Sequence, residues 1–286
     1  MSQEFESAEQ VRDAAGRQYH IGLAPGEVAP WILMVGDPKR ARRVAELFDA
    51  VELERSNREY LTLTGTHRGV RISVMGTGMS AANTEIAVVE LLQCMPEGVT
   101  PTMIRCGSSG ALQPEIALGD LVITQGACRL EMASSAYVTD GFPAVASTDV
   151  VLALAQAAEA VTAGDRSAYH VGLTATAAGF YGAQGRRVPG LPPPRDTGAL
   201  DRLATERVLN FEMEASCLLT LATLCRFRAG AVCAAYASRP RNTFISSDDK
   251  DAAELRCITT GLTAIHNLIA MDQARGARPV WHPGLA

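Results

Sequence analysis

The chain has no apolar stretch long enough for an uninterrupted membrane helix. Its first eighteen residues carry Glu4, Glu6, Glu9 and Asp13 in place of an apolar core, so no secretory leader is expected there. Blocks of like charge are missing too. The net charge of −5 is spread along the sequence, and no basic stripe interleaved with aromatics suggests a nucleic-acid partner. No Gly-x-x-x-x-Gly-Lys-Ser/Thr loop occurs, which disfavours a nucleoside triphosphate site of that kind, and no Gly-x-Ser-x-Gly elbow supports a serine nucleophile. The seven cysteines (Cys94, Cys106, Cys128, Cys217, Cys225, Cys233, Cys257) are odd in number and show no Cys-x-x-Cys spacing. They read as reduced core residues of a cytoplasmic protein. The histidines form no metal pattern, and His67, His170 and His266 read as structural or surface groups.

What is present is a globular composition. Apolar residues make up 47% of 286 residues and mean hydropathy is +0.06, enough for a substantial core. Nearly continuous apolar runs recur at Trp31–Val35, Val70–Met75, Thr102–Cys106, Leu121–Thr124, Val171–Thr176 and Ala231–Ala237, as strands buried on both faces do. Helical patterns lie between them. Ser80 or Asn83 starts one that runs through Leu92, and Leu255, Ile258, Leu262, Ile265 and Ile269 mark one face of a C-terminal helix. The alternation predicts a single-domain α/β protein, a three-layer α/β/α sandwich around a mixed β-sheet. Its expected limits are residues 19–272, with a polar N-terminal extension, 1–18, and a poorly ordered C-terminal tail, 273–286. Pro189, Pro192, Pro193 and Pro194 make Arg186–Thr197 a loop or flap.

Four stretches carry candidate chemistry. Gly36-Asp37-Pro38-Lys39-Arg40 follows a predicted strand and opens a predicted helix, so helix-start amides and Arg40 can hold an anion; the same pattern is also a common turn. Arg105-Cys106-Gly107-Ser108-Ser109-Gly110 places an arginine, two hydroxyls and two glycines at an expected strand end, either an oxyanion pocket or a tight turn. In Glu212-Met213-Glu214 the two acids open an apolar helix. They either complement its dipole or, through Glu214, accept hydrogen bonds from vicinal ribose hydroxyls. In Phe180-Tyr181-Gly182-Ala183-Gln184-Gly185-Arg186, Phe180 offers a flat face, Gln184 a donor and an acceptor for an amide-like ring edge, and Arg186 a charge.

Taken in order, these four elements resemble the trimeric and hexameric nucleoside phosphorylase family, and the Gln-x-Arg element resembles its uridine-cleaving branch. The likeness runs from Tyr19 to Ile269. It implies phosphorolysis of a pyrimidine nucleoside, uridine first, with inorganic phosphate as co-substrate and no cofactor. It makes Gly36, Arg40, Arg105 and Ser108 phosphate ligands, joined by Arg58 of a neighbouring subunit. Glu212, Met213 and Glu214 would line the ribose, with His20 reaching it from that neighbour. Gln184 and Arg186 would hold the base, with Phe180 against the nucleoside and Arg239 supporting the base end; Arg186, Gln184 and Arg239 would be catalytic. The resemblance further implies a homo-oligomer with shared sites, a hexamer built as a trimer of dimers, and structural potassium at Glu59 and Asn83. Departures from the bacterial pattern are Ser108 in place of threonine, Asn83 in place of serine, Pro240 after Arg239, and the proline-rich loop beside the base-reading residues. Purine nucleoside cleavage and a non-catalytic or biosynthetic nucleoside-binding protein are the competing expectations.

Overall fold

Strand β1 (Trp31–Val35) shows how the layers arise, because its alternate side chains enter two different cores. Leu33 and Val35 pack into one, and Ile32 and Met34 into the other. The computed structural model describes residues 7–285. After β1 come α1 (Pro38–Ala45), the edge strands β2 (Ala50–Asn57) and β3 (Tyr60–His67), β4 (Val70–Gly76) and α2 (Ala81–Gln93). The middle of the chain supplies β5 (Thr102–Ala111), β6 (Leu121–Leu130), β7 (Ala144–Val145), α3 (Thr148–Thr162) and β8 (Tyr169–Ala177). It finishes with α4 (Ala199–Thr205), β9 (Asn210–Glu212), α5 (Ala215–Cys225), β10 (Arg228–Ser238), β11 (Thr243–Phe244) and α6 (Ser247–Arg275).

Helices α1, α3 and α6 cover one face of the sheet, through residues such as Val44, Leu154 and Leu262. Helices α2 and α5 cover the other, through Val88, Leu91, Leu218 and Leu219. The expected three layers around one mixed sheet are therefore present. The strand order is β11-β10-β6-β8-β9-β5-β1-β4-β3-β2, with an additional β10–β5 pairing. That pairing closes β5, β10, β6, β8 and β9 into a ring, while β1 to β4 extend from it as an open arm. Strand β5 belongs to both parts, pairing in parallel with β1 and β10.

Several sequence expectations change. The β2–β3 hairpin leaves no mark in the apolar pattern: β2 reads Ala-Val-Glu-Leu-Glu-Arg-Ser-Asn and lies largely exposed at the sheet edge, so it lacks an apolar run. Arg105 to Gly110 is not a turn after a strand; β5 continues through it to Ala111, because β10 pairs along its whole length. Glu212 does not open a helix either, since Asn210–Glu212 forms β9 between β5 and β8 and the helix begins at Ala215. On α6, Leu255 is exposed and the buried stripe instead includes Ala253, Cys257, Ile258, Leu262, Ile265 and Leu268. Cys225 is exposed and Cys128 half-buried, so the cysteines are not all core residues. The tail is more structured than expected, with Trp281 packed against the core. Of the N-terminal extension, Glu4 and Glu6 lie outside the described residues.

Candidate active site

Two strand ends and two helix starts converge on one cavity of about 530 Å3, a size suited to a small-molecule site. Gly36 ends the β1 turn, and Asp37 caps α1 by accepting a hydrogen bond from Lys39 N at 2.8 Å. With the first turn fixed, Arg40 on α1 points back into the cavity. Its Nε donates to Glu254 Oε2 at 2.8 Å, and its Nη1 to the Cys106 carbonyl at 3.3 Å. Burial works against the Arg40 charge, but Tyr236 and Glu254 outweigh it and hold the pKa above its ordinary value.

Arg105 is held more tightly. Its Nε donates to Glu212 Oε2 at 2.9 Å and its Nη2 pairs with Glu214, with all three side chains almost wholly buried. Burial opposes this charge too, and the carboxylates of Glu214 and Glu212 more than compensate, raising its pKa. Gly107 makes room for the arrangement: a Cβ there would lie 2.7 Å from Arg105 Nη2 and 2.9 Å from Cys233 Sγ.

Glu212 has little spare capacity. Its Oε2 also accepts the amides of Glu214 at 2.8 Å and Ala215 at 2.9 Å, while its Oε1 takes the Thr176 hydroxyl. It therefore braces the start of α5, consistent with a buried carboxylate that needs every lone pair satisfied. Glu214 accepts Ser80 N at 2.7 Å on Oε1, which ties the start of α2 to the cavity wall.

At the opposite end, Arg186 lies over the Phe180 ring, its guanidinium carbon 3.7 Å from the centroid. It donates to the Phe180 carbonyl and to Gln184 Oε1. One lone pair of that oxygen is thus used, leaving the Gln184 amide donor and a second lone pair for a ligand. No carboxylate pairs with Arg186 or Arg239 among the described residues. Burial, then the nearby charge of Arg239, lowers the Arg186 pKa to about 10, and burial lowers that of Arg239. Arg239 does not line the cavity directly; its stem lies against Gly110, and its buried Nη1 has no partner.

Gly36, Arg40, Arg105, Ser108, Met213 and Glu214 thus share one cavity with Glu212, Phe180, Gln184 and Arg186. His20 and Arg58 lie elsewhere on the same chain, joined through Tyr19 and Asn57. The Arg58 guanidinium stacks 4.6 Å from the Tyr19 ring, and Asn57 Nδ2 donates to the His20 carbonyl at 2.7 Å. Glu59 and Asn83 converge beside Gly78, whose φ of +73° leaves room that a Cβ would take from Asn83 Nδ2 at 2.7 Å. His67 and His266 form a ring pair at 2.9 Å, and His170 meets Asp120 at the same distance, both away from the cavity.

Sequence reading missed Thr176, Tyr236 and Lys250, none of which belongs to a local motif, the tie from the Ser80 amide to Glu214, and Glu90. That carboxylate accepts His20 N at 3.1 Å and Ile21 N at 2.8 Å and meets His20 Nδ1 at 2.6 Å, so it fixes the His20 ring from seventy residues away. The proline-rich segment does not roof the cavity: only Arg186 of it reaches in, while Pro194, Arg195 and Asp196 line a neighbouring surface depression.

An arginine–carboxylate wall beside strand-end glycines, facing an amide and a guanidinium with no carboxylate partner, defines a class: an α/β protein with a pocket for an anion and a polar ring system. Comparison with known proteins narrows it. Residues 30–262 match the family described as the Phosphorylase superfamily. A uridine phosphorylase of Thermococcus kodakarensis is 42% identical over 290 residues, covering 100% of this chain and 99% of that protein. One from Treponema pallidum is 32% identical, covering 90% of this chain and 96% of that one. A solved nucleoside phosphorylase of Trypanosoma brucei, described as showing uridine phosphorylase activity, superposes with a TM-score of 0.81 at 26% identity, covering 91% of this chain and 99% of its own. The chain belongs to the phosphorylase superfamily.

Proposed function

We propose that the protein cleaves uridine by phosphorolysis, giving uracil and ribose 1-phosphate. The carrying observation is that one cavity brings together Arg40, Arg105 and Ser108, Glu214 beside Arg105, and Gln184 and Arg186. Phosphate sits against the first group and attacks the anomeric carbon as the glycosidic bond breaks. The sugar passes through a cation-like transition state that the phosphate charge stabilises. Electrons of the broken bond move into the base, and Arg186 and Gln184 meet the charge that develops on its carbonyl. No protein nucleophile takes part. Glu214 holds the ribose hydroxyls, and Glu212 acts chiefly by fixing Arg105 and the start of α5.

The base end favours a pyrimidine over a purine. The strand end beside it offers Ser238 and Arg239, with no acid to protonate a departing purine. His20 and Arg58 complete the site of a neighbouring copy, so the working form is an oligomer, a hexamer assembled as a trimer of dimers. Glu59 and Asn83, which converge beside Gly78, would supply half of a monovalent-cation site between copies, a carboxylate and an amide carbonyl being suitable oxygen ligands. Among the described residues no helix is long and apolar enough to cross a membrane, and the enzyme acts on small nucleosides of the cytoplasm.

The test is base release from uridine, thymidine, cytidine and inosine with and without phosphate. Phosphate-dependent release of uracil is expected. Equal release without phosphate makes the protein a hydrolase, and preference for inosine makes it a purine enzyme.

A further inference from the structure

Three cations of this chain line the cavity near its phosphate end, and two of them are already neutralised. Arg105 lies between Glu212 and Glu214, and Arg40 is paired with Glu254. A phosphate dianion arriving there would meet arginines already paired with carboxylates, buried at Glu212 and Glu214 and partly buried at Glu254. Hydrogen-bond donors remain, but from this chain's own arginines at that end little net positive charge does.

The third cation is Lys250, in the first turn of α6. It stands four residues before Glu254, and its Nζ lies 6.0 Å from the ring centroid of Tyr236, whose hydroxyl donates to Glu254 Oε2 at 3.3 Å. This places Lys250 at the Arg40 side of the cavity. Glu254 does not neutralise it, because its oxygens are taken by Arg40, Arg43 and Tyr236. The neighbouring acids do not reach it either. Asp251 pairs with Arg43 at 3.3 Å and Asp249 accepts the Ser246 hydroxyl at 2.6 Å, and Lys250 alone of this turn lines the cavity. Among the described residues Lys250 has no ion-pair partner within its own subunit.

We infer that Lys250 is a phosphate-recruiting residue of this active site, supplying the uncompensated charge that the paired arginines lack. The inference rests on the phosphorolysis proposed above and adds a ligand to it. An exposed ammonium on a flexible stem suits this role, since it meets the anion at the mouth and follows it inward, whereas the buried guanidinium groups fix its final orientation.

Kinetics of the full-length enzyme on uridine and phosphate test this, comparing wild type, Lys250→Gln and Lys250→Arg at low and high ionic strength. Titration calorimetry with inorganic phosphate accompanies them. Lys250→Gln should raise the phosphate KM relative to the uridine KM by roughly threefold to fivefold at low salt and weaken phosphate binding in parallel. The difference should shrink as salt is added, and Lys250→Arg should restore most of the loss. A wild type that releases uracil without phosphate overturns the phosphorolysis itself. With a phosphate-dependent wild type, an unchanged phosphate KM in Lys250→Gln, or an equal rise in both KM values, overturns the role of Lys250 alone.

Discussion

The two ends of the cavity handle positive charge in opposite ways. Around Arg105 each charge has a partner: Glu212 and Glu214 flank it, the Thr176 hydroxyl and two helix-start amides also donate to Glu212, and Ser80 N donates to Glu214. Around Arg186 nothing is matched; it shares its end with Arg239, stacks on Phe180 and donates only to neutral oxygens. The matched end is a rigid frame, since removing any member strands a buried charge. The unmatched end stores unfavourable electrostatics in the free protein that are relieved when an anion forms there, as a departing pyrimidine does. Stability and reactivity should therefore come apart between the two ends.

The sharpest way to break this contrast is Arg105→Leu. It leaves Glu212 and Glu214 buried without their cation and should cost about 3–5 kcal/mol of unfolding free energy along with nearly all activity. Urea unfolding measures the first, and a cost below about 1 kcal/mol would show that the end is not a frame. Arg186→Ala and Gln184→Ala should do the reverse. kcat/KM for uridine should fall roughly tenfold to a few hundredfold, with kcat falling in the arginine variant, while unfolding midpoints stay close to wild type.

Glu254 sharpens the comparison through pH. Burial pushes its carboxyl up, but Arg40 and Arg43 outweigh that and hold it below its ordinary value. Its folded-state pKa is thus lower than its unfolded one, so it adds stability above the unfolded value and loses it as pH falls through the folded one. Wild type should exceed Glu254→Gln most above about pH 5, and thermal melts should converge as pH drops below about 4. The smallest effect is expected from Ser108→Thr, which keeps the hydroxyl at the phosphate end. Stability should change by less than about 0.5 kcal/mol, and phosphate KM by less than about threefold.

The sequence revealed those parts whose physics is local. The apolar runs of β1, β4 and β10 and the Ser80 cap of α2 are visible because burial on both faces and helix capping leave residue-by-residue marks. The stretches that line the cavity were equally legible, since each is short and contiguous. The β2–β3 hairpin was not, because an exposed edge strand needs no apolar pattern, and β9 was not, because acids at a strand end look like acids at a helix start until β5 and β8 are seen to pair with it.

By itself, then, the sequence determined the layered α/β class, the four chemical stretches and the family they resemble. Tertiary structure alone decided that Glu212 spends its lone pairs on protein, that Glu90 fixes His20, that the arginines of one end are neutralised and those of the other are not, and that Lys250 stands beside Arg40. Propensity and capping act over a few residues, whereas charge matching and burial depend on distances between groups as far apart in the chain as Arg40 and Glu254, which only the closed sheet and its packed helices bring together.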